Sequence, residues 1–263
     1  MTPSSGINAA TQQTVGVLVS VERRLTMAAG LADDLAASLR RREADLAEIR
    51  MQAQKIRYTE EPRPYLHNAV DLAALTRRGL QTSVDVGDEL LVYLDMARKD
   101  LRFARETISE SASRAASAGV SSPELEALPR RVDHLSRIIQ SATEGAERAI
   151  NHLQAAERAI SELAARPSFA VSEERREARQ VEAVLDDSDP HITRAMSAVE
   201  VTRTLLEGGR EAAHQGTEAA ARTAADLARQ GLSTTLRRTS PPAGAGTHPP
   251  EPETNPRHSG QRR

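Results

Sequence analysis

Apolar residues recur at alternating steps of three and four along most of this chain, and no other feature constrains its fold as strongly. Eleven of the twelve stripe positions between residues 18 and 56 are apolar, and Arg42 is the exception. Residues spaced 3.5 apart on average form one stripe along an α-helix, and supercoiling keeps that stripe against a partner helix. The large apolar stripe residues of this segment are Leu18, Val21, Leu25, Leu35, Leu39, Leu46, Ile49 and Ile56.

The same spacing returns between residues 125 and 163, where every stripe position is apolar. In the segment between the two, the apolar face is broader than a two-stranded seam needs, which favours a bundle of more than two helices. The sequence therefore predicts an all-α fold, an elongated antiparallel helical bundle or coiled coil of about four long helices. The large apolar stripe residues of the later segment are Leu125, Leu128, Val132, Leu135, Ile139, Leu153, Ile160 and Leu163.

Proline and glycine set the expected helix boundaries. Pro62 and Pro64 end the first helix, because proline lacks the N–H donor and disfavours helix in the residue before it. Gly119 is placed to cap the second helix in a left-handed conformation, and Ser122 with Pro123 is placed to begin the third. The expected helices cover residues 7–57, 65–118, 123–166 and 168–238.

Two prolines fall inside these predicted helices. The apolar spacing keeps its phase across Pro190, which indicates one helix bent at this point. Asp189 as an N-cap could also begin a separate helix, so the sequence predicts a kink or a break at 189–190. Pro129 either kinks the third helix or marks its start.

The chain divides into one predicted bundle, residues 1–238, and a C-terminal tail, residues 239–263. The tail is rich in Pro, Gly, Ser, Thr and Glu and has no apolar periodicity. Such segments bury too little apolar surface to fold, so we expect a disordered tail that tethers or recruits.

Composition excludes several classes of protein. Two Phe, three Tyr and no Trp, against 43 Ala, cannot fill a rounded aromatic core. The absence of cysteine excludes disulfides, thiol catalysis and Cys-ligated metals. Lys occurs only at Lys55 and Lys99, a skew that, with the Ala excess, is typical of a GC-rich bacterial gene. Without a signal peptide or a membrane-spanning apolar run, a cytoplasmic protein is expected.

No pattern of residues indicates catalysis. None of the seven His occupies a stripe position. Glu211 and His214 form the single Glu-x-x-His motif, whereas a carboxylate-bridged di-metal bundle needs two, and both side chains are expected to point away from the core. Phosphate-binding loops and nucleophile elbows are absent. We expect no enzyme and no catalytic, cofactor-binding, metal or small-molecule substrate site.

Two binding classes remain as alternatives. Arginine runs such as Arg40–Arg42 could bind nucleic acid, but consecutive helical residues point about 100° apart and the net charge is -2, so this is disfavoured. Residues 211–231 are broadly similar in composition to granule-coating proteins of bacteria. This resemblance implies an amphipathic helix on a membrane or storage-granule surface, which the scarcity of aromatic residues disfavours.

The favoured function is a non-enzymatic scaffold or assembly protein. Isolated helices of this kind are marginal, so burial against other helices must stabilise them. We expect a homo-oligomer, or binding to another helical protein. Arg42 is the candidate for setting register or pairing, because a polar stripe residue fixes alignment, pairs with an acid on a neighbouring helix, or lies where a bundle opens.

Overall fold

The structure, a computed structural model, describes residues 3–117, 119, 122–165 and 174–239. Within them it contains four long helices and no strand, which confirms the predicted all-α bundle. The predicted disorder of the tail falls on residues that, from 240 onward, lie outside the described ones. The helices are α1 (Pro3–Tyr58), α2 (Arg63–Ser117), α3 (Pro123–Ala164) and α4 (Glu174–Thr239).

The four helices pack side by side in chain order around a common core. α1 and α3 each lie against both α2 and α4, so α1 is diagonal to α3 and α2 is diagonal to α4. Ser20 of α1 bonds to Asp100 of α2, while Ser38 bonds to Ser83, so residue numbers rise along one helix as they fall along the other. The neighbours are therefore antiparallel. α1 alone has 56 residues and extends about 84 Å at 1.5 Å per residue.

The predicted stripes of α1 and α3 line the core. Each large apolar stripe residue named above is at most 2% exposed. Burying one such side chain stabilises the fold by about 1.5–3 kcal/mol. Layers of Ala separate the larger residues, and no aromatic side chain is among the buried residues that the structure describes. The core is thus closed within a single chain, and its burial requires no second copy.

The turn between α2 and α3 is short and capped at both ends. Gly119 has φ +67°, the left-handed conformation that favours glycine. The hydroxyl of Ser122 accepts a hydrogen bond of 3.3 Å from the Leu125 N–H, and Pro123 occupies the first helical position. Both caps occur where the sequence predicts them. α3 then continues through Pro129, so this proline lies inside the helix and does not mark its start.

Several helix ends differ from the predicted ones by a few residues. α1 begins at Pro3 rather than at residue 7, and α2 begins at Arg63, because proline is tolerated in the first helical turn. α3 ends at Ala164 rather than at 166. The predicted end of the second helix at 118 and the predicted start of the fourth at 168 lie outside the described residues.

α4 runs through Pro190 without interruption, so a separate helix beginning at Asp189 is not formed. Proline removes one hydrogen bond, to the carbonyl oxygen four residues earlier. On both sides of it the apolar stripe stays in the core, since Leu185 is 0% and Ile192 2% exposed. Asp189 also pairs with Arg50 of α1, with 2.5 Å between Oδ2 and Nη2. These contacts hold the two halves of α4 on the same side of the bundle.

Candidate interaction surface

Arg42, the one polar residue of the α1 stripe, lies over a glycine of α2. Its Nη1 is 2.8 Å from Oδ2 of Asp45 on the same helix, so its acidic partner is not on a neighbouring helix. A Cβ at Gly79 would overlap the Arg42 guanidinium group. The Nε atom is buried without a hydrogen-bond partner in the described structure. Arg42 therefore occupies a notch on α2, which fits the register role that the sequence suggested.

The Glu-x-x-His motif lies on the outer surface of α4. His214 is 56% exposed, and its Nδ1 lies 3.4 Å from Glu22 of α1 and its Nε2 3.5 Å from Glu218. Glu211 instead accepts a hydrogen bond from Gln215. Across the residues that the structure describes, no group of three or more His, Cys, Asp or Glu is arranged to hold a metal ion.

Two histidines that are far apart in sequence meet between α3 and α4. The Nδ1 atoms of His152 and His191 are 3.4 Å apart, and both side chains are half-buried. Burial, with the nearby charges of His191 and Arg194, lowers the pKa of His152 from its ordinary value. Sequence analysis placed both residues only beside their stripes, because the pairing depends on the register of two helices.

Four exposed apolar side chains lie on α2 and on the side of α1 that meets it. Of the nine large apolar residues exposed in the described structure, Met27 and Met96 lie beside Arg24, and Phe103 and Val92 follow and precede Met96 on α2 by seven and four residues. Sequence analysis missed this surface, for which the signal was apolar residues outside the stripes. We call it the α1/α2 face, and its residues are Met27, Val92, Met96 and Phe103.

Polar contacts tie α1 to α2 within the α1/α2 face. Asp100 Oδ2 accepts hydrogen bonds from Nε of Arg24, at 2.7 Å, and from the hydroxyl of Ser20, at 2.9 Å. Nη1 of Arg24 is 2.8 Å from the sulfur of Met96. The charges within the face are therefore compensated locally, including that of Lys99, whose Nζ is 2.6 Å from Asp95.

A shallow depression of about 340 Å³ opens on the α1/α2 face. It is lined by Ser20, Arg23, Arg24, Met27 and Tyr93. Methionine and aromatic side chains are enriched where proteins bind one another, because they offer large contact area and adapt in shape. Two of the five lining residues, Met27 and Tyr93, belong to these types.

Some arginine side chains pair with an acid on another helix. Arg77 of α2 bonds to Glu157 of α3 at 2.9 Å, and Arg203 of α4 bonds to Asp33 of α1 at 2.6 Å. Each pair neutralises one positive charge that could otherwise bind a phosphate. These pairs link neighbouring helices of the bundle.

The Ala-rich segment 211–231 has its apolar side packed inside the bundle. Ala213 and Ala220 are fully buried, and Leu227 is 4% exposed. They belong to one core cluster with Leu18 of α1 and Leu128 of α3. The face that could have lain on a granule is covered by the protein itself.

No helix in the described part of the chain carries an apolar stretch long enough to cross a membrane. Comparison with protein-family models, with curated proteins and with solved structures found no match to this chain.

Proposed function

We propose that this protein is a non-enzymatic scaffold that assembles by self-association through the α1/α2 face. The observation that carries the proposal is the gathering of Met27, Val92, Met96 and Phe103 where α1 and α2 meet. The apolar stripes are buried among the helices of one chain, so we expect copies to associate through the outer surface. Exposed apolar clusters of this kind mark interaction sites in soluble proteins.

The composition of the face favours a second copy as its occupant. In a two-fold dimer the same patch meets itself, so the patch must be complementary to its own copy. Apolar side chains satisfy this condition, whereas unpaired charges of one sign would repel. Arg24 is paired with Asp100, and Lys99 with Asp95, inside each copy. Two faces can therefore meet without bringing these charges together unpaired.

The length of the bundle supports a scaffolding role. Two rods of about 84 Å, joined side by side through one face, leave the α3 and α4 surfaces free along the whole particle. Binding to a helix of another protein through the same face is the alternative, and a granule or membrane surface is a second one. Nucleic acid is disfavoured by the net charge of -2.

Charge introduced into the α1/α2 face is expected to dissociate the assembly. Wild-type protein should show a mass above the 28.5 kDa of one chain in light scattering, rising with concentration. Met96→Asp or Phe103→Asp should shift it to the single-chain mass. A hot-spot residue of an interface contributes about 2 kcal/mol or more to binding. Because a two-fold interface contains each residue twice, the dissociation constant of the dimer should rise roughly a thousandfold.

Val201→Asp is the matched control for these variants. Val201 is 51% exposed on α4, the helix diagonal to α2, against 39% for Met96 and 45% for Phe103. Its variant should keep the wild-type mass, and all three should melt near the wild-type temperature. A wild-type protein that stays a single chain at every concentration would contradict the proposal, as would equal dissociation by Val201→Asp.

A further inference from the structure

The imidazole rings of His152 on α3 and His191 on α4 face each other across the seam between these helices. Their Nδ1 atoms are 3.4 Å apart, their ring centroids 5.6 Å apart, and their planes tilted by 39°. Two opposed lone pairs repel, and so do two opposed protons. The arrangement is therefore favourable in two cases, when one ring donates an Nδ1–H hydrogen bond to the other or when both nitrogens bind one metal ion.

The separation of the two nitrogens matches that of two ligands on one zinc ion. Zn–N bonds are about 2.0–2.1 Å long, so two ligands at the tetrahedral angle are about 3.3–3.4 Å apart. The Nδ1 atoms of His152 and His191 already have this spacing. The centroids are 5.6 Å apart, so the rings point almost directly at each other, and each must rotate slightly to direct its lone pair at one ion.

The surroundings leave the site accessible from solvent. Both rings are half-buried, so an ion can enter from solvent. The nearby Arg194 opposes a second positive charge, but its side chain is exposed and free to turn toward water.

We propose that His152 and His191 form a two-imidazole site for a borderline divalent transition metal such as Zn²⁺, which ties α3 to α4. No third protein ligand is arranged there in the described structure, so water completes the coordination. The proposal replaces the sequence-based expectation of no metal site. It does not depend on the α1/α2 face, because α3 and α4 form the opposite side of the bundle.

The test is the thermal shift produced by ZnCl₂ on the full chain. An ion that binds only the folded state should raise the melting temperature by about 3–5 °C for each tenfold excess over its dissociation constant. His152→Ala and His191→Ala should each abolish this shift. His134→Ala, at an exposed position of α3, should retain it. Because each variant is compared with and without metal, a change in its basal stability does not obscure the result.

Two further measurements distinguish the proposed site from other binding. Isothermal titration calorimetry with ZnCl₂ should give one site per wild-type chain, which His191→Ala should remove. His214 is another histidine that could bind zinc, because it lies near the carboxylates of Glu22 and Glu218. His214→Ala should leave the zinc-induced rise in melting temperature unchanged. No zinc shift in the wild type, its persistence in His152→Ala and His191→Ala, or its loss in His214→Ala would overturn the proposal.

Discussion

Replacing Leu35 by Ala is expected to lower the free energy of unfolding by about 2–5 kcal/mol. Leu35 is 0% exposed and belongs to a core cluster to which all four helices contribute. Truncation removes apolar contact and leaves a cavity, because the rigid surrounding helices collapse into it only partly. Urea unfolding followed by helical circular dichroism measures the loss.

Leu75→Ala provides the matched control, since it makes the same chemical change on α2. Leu75 is 55% exposed. Its truncation leaves no cavity and should change the free energy of unfolding by no more than about 0.5 kcal/mol. Comparable losses at both positions would mean that the stripe of α1 is not in the core.

Replacing Gly145 by Ala is expected to destabilise the protein, although alanine is the better helix former. In an exposed helix this change stabilises by about 0.8–1 kcal/mol. At Gly145 the new Cβ would overlap Oγ1 of Thr202, where α3 and α4 approach closely. Overpacking costs about 1–3 kcal/mol, which exceeds the helix gain. We expect a net loss of up to about 2 kcal/mol in urea unfolding.

A double variant tests the cause of this loss. Thr202→Ala removes the hydroxyl and methyl groups that the new Cβ would meet, so Gly145→Ala should cost nothing, or stabilise, in that background. The coupling energy of the cycle should be at least about 1 kcal/mol. Gly30→Ala is the control, because nothing lies within 4 Å of its Cβ position, and it should stabilise. Gly145→Ala behaving like Gly30→Ala would contradict close packing of α3 on α4.

The apolar spacing predicted the fold because it is a local property of each helix. Leu18 of α1 and Leu163 of α3 belong to separate predicted stripes, and both are buried. The caps at Gly119 and Ser122 were also readable, since left-handed glycine and an N-cap serine act on their immediate neighbours. Pro190 left two possibilities open, because burial of the residues around it decides whether the helix continues.

The contacts between helices were not readable from one sequence. Arg42 over Gly79 and His152 beside His191 depend on how far one helix is shifted along the next. Periodicity gives the buried side of each helix and leaves this shift undetermined. The α1/α2 face was missed for a related reason. Met27 and Met96 come to lie on the same surface only when α1 and α2 pack in one particular alignment.

Closure of the core within one chain changes the basis for expecting self-association. The stripes alone were compatible with helices shared between copies. In the structure they are buried by the four helices of a single chain, so the case for assembly rests on the exposed α1/α2 face.

The most direct test of that case is the distance between spin labels on different copies of the protein. The chain contains no cysteine, so Glu89→Cys, at an exposed position seven residues before Met96 on the same side of α2, and Val201→Cys each carry one label. Double electron–electron resonance should give a shorter intermolecular distance at 89 than at 201, where two bundle thicknesses separate the labels. Absence of intermolecular coupling, or the shorter distance at 201, would contradict assembly through the α1/α2 face.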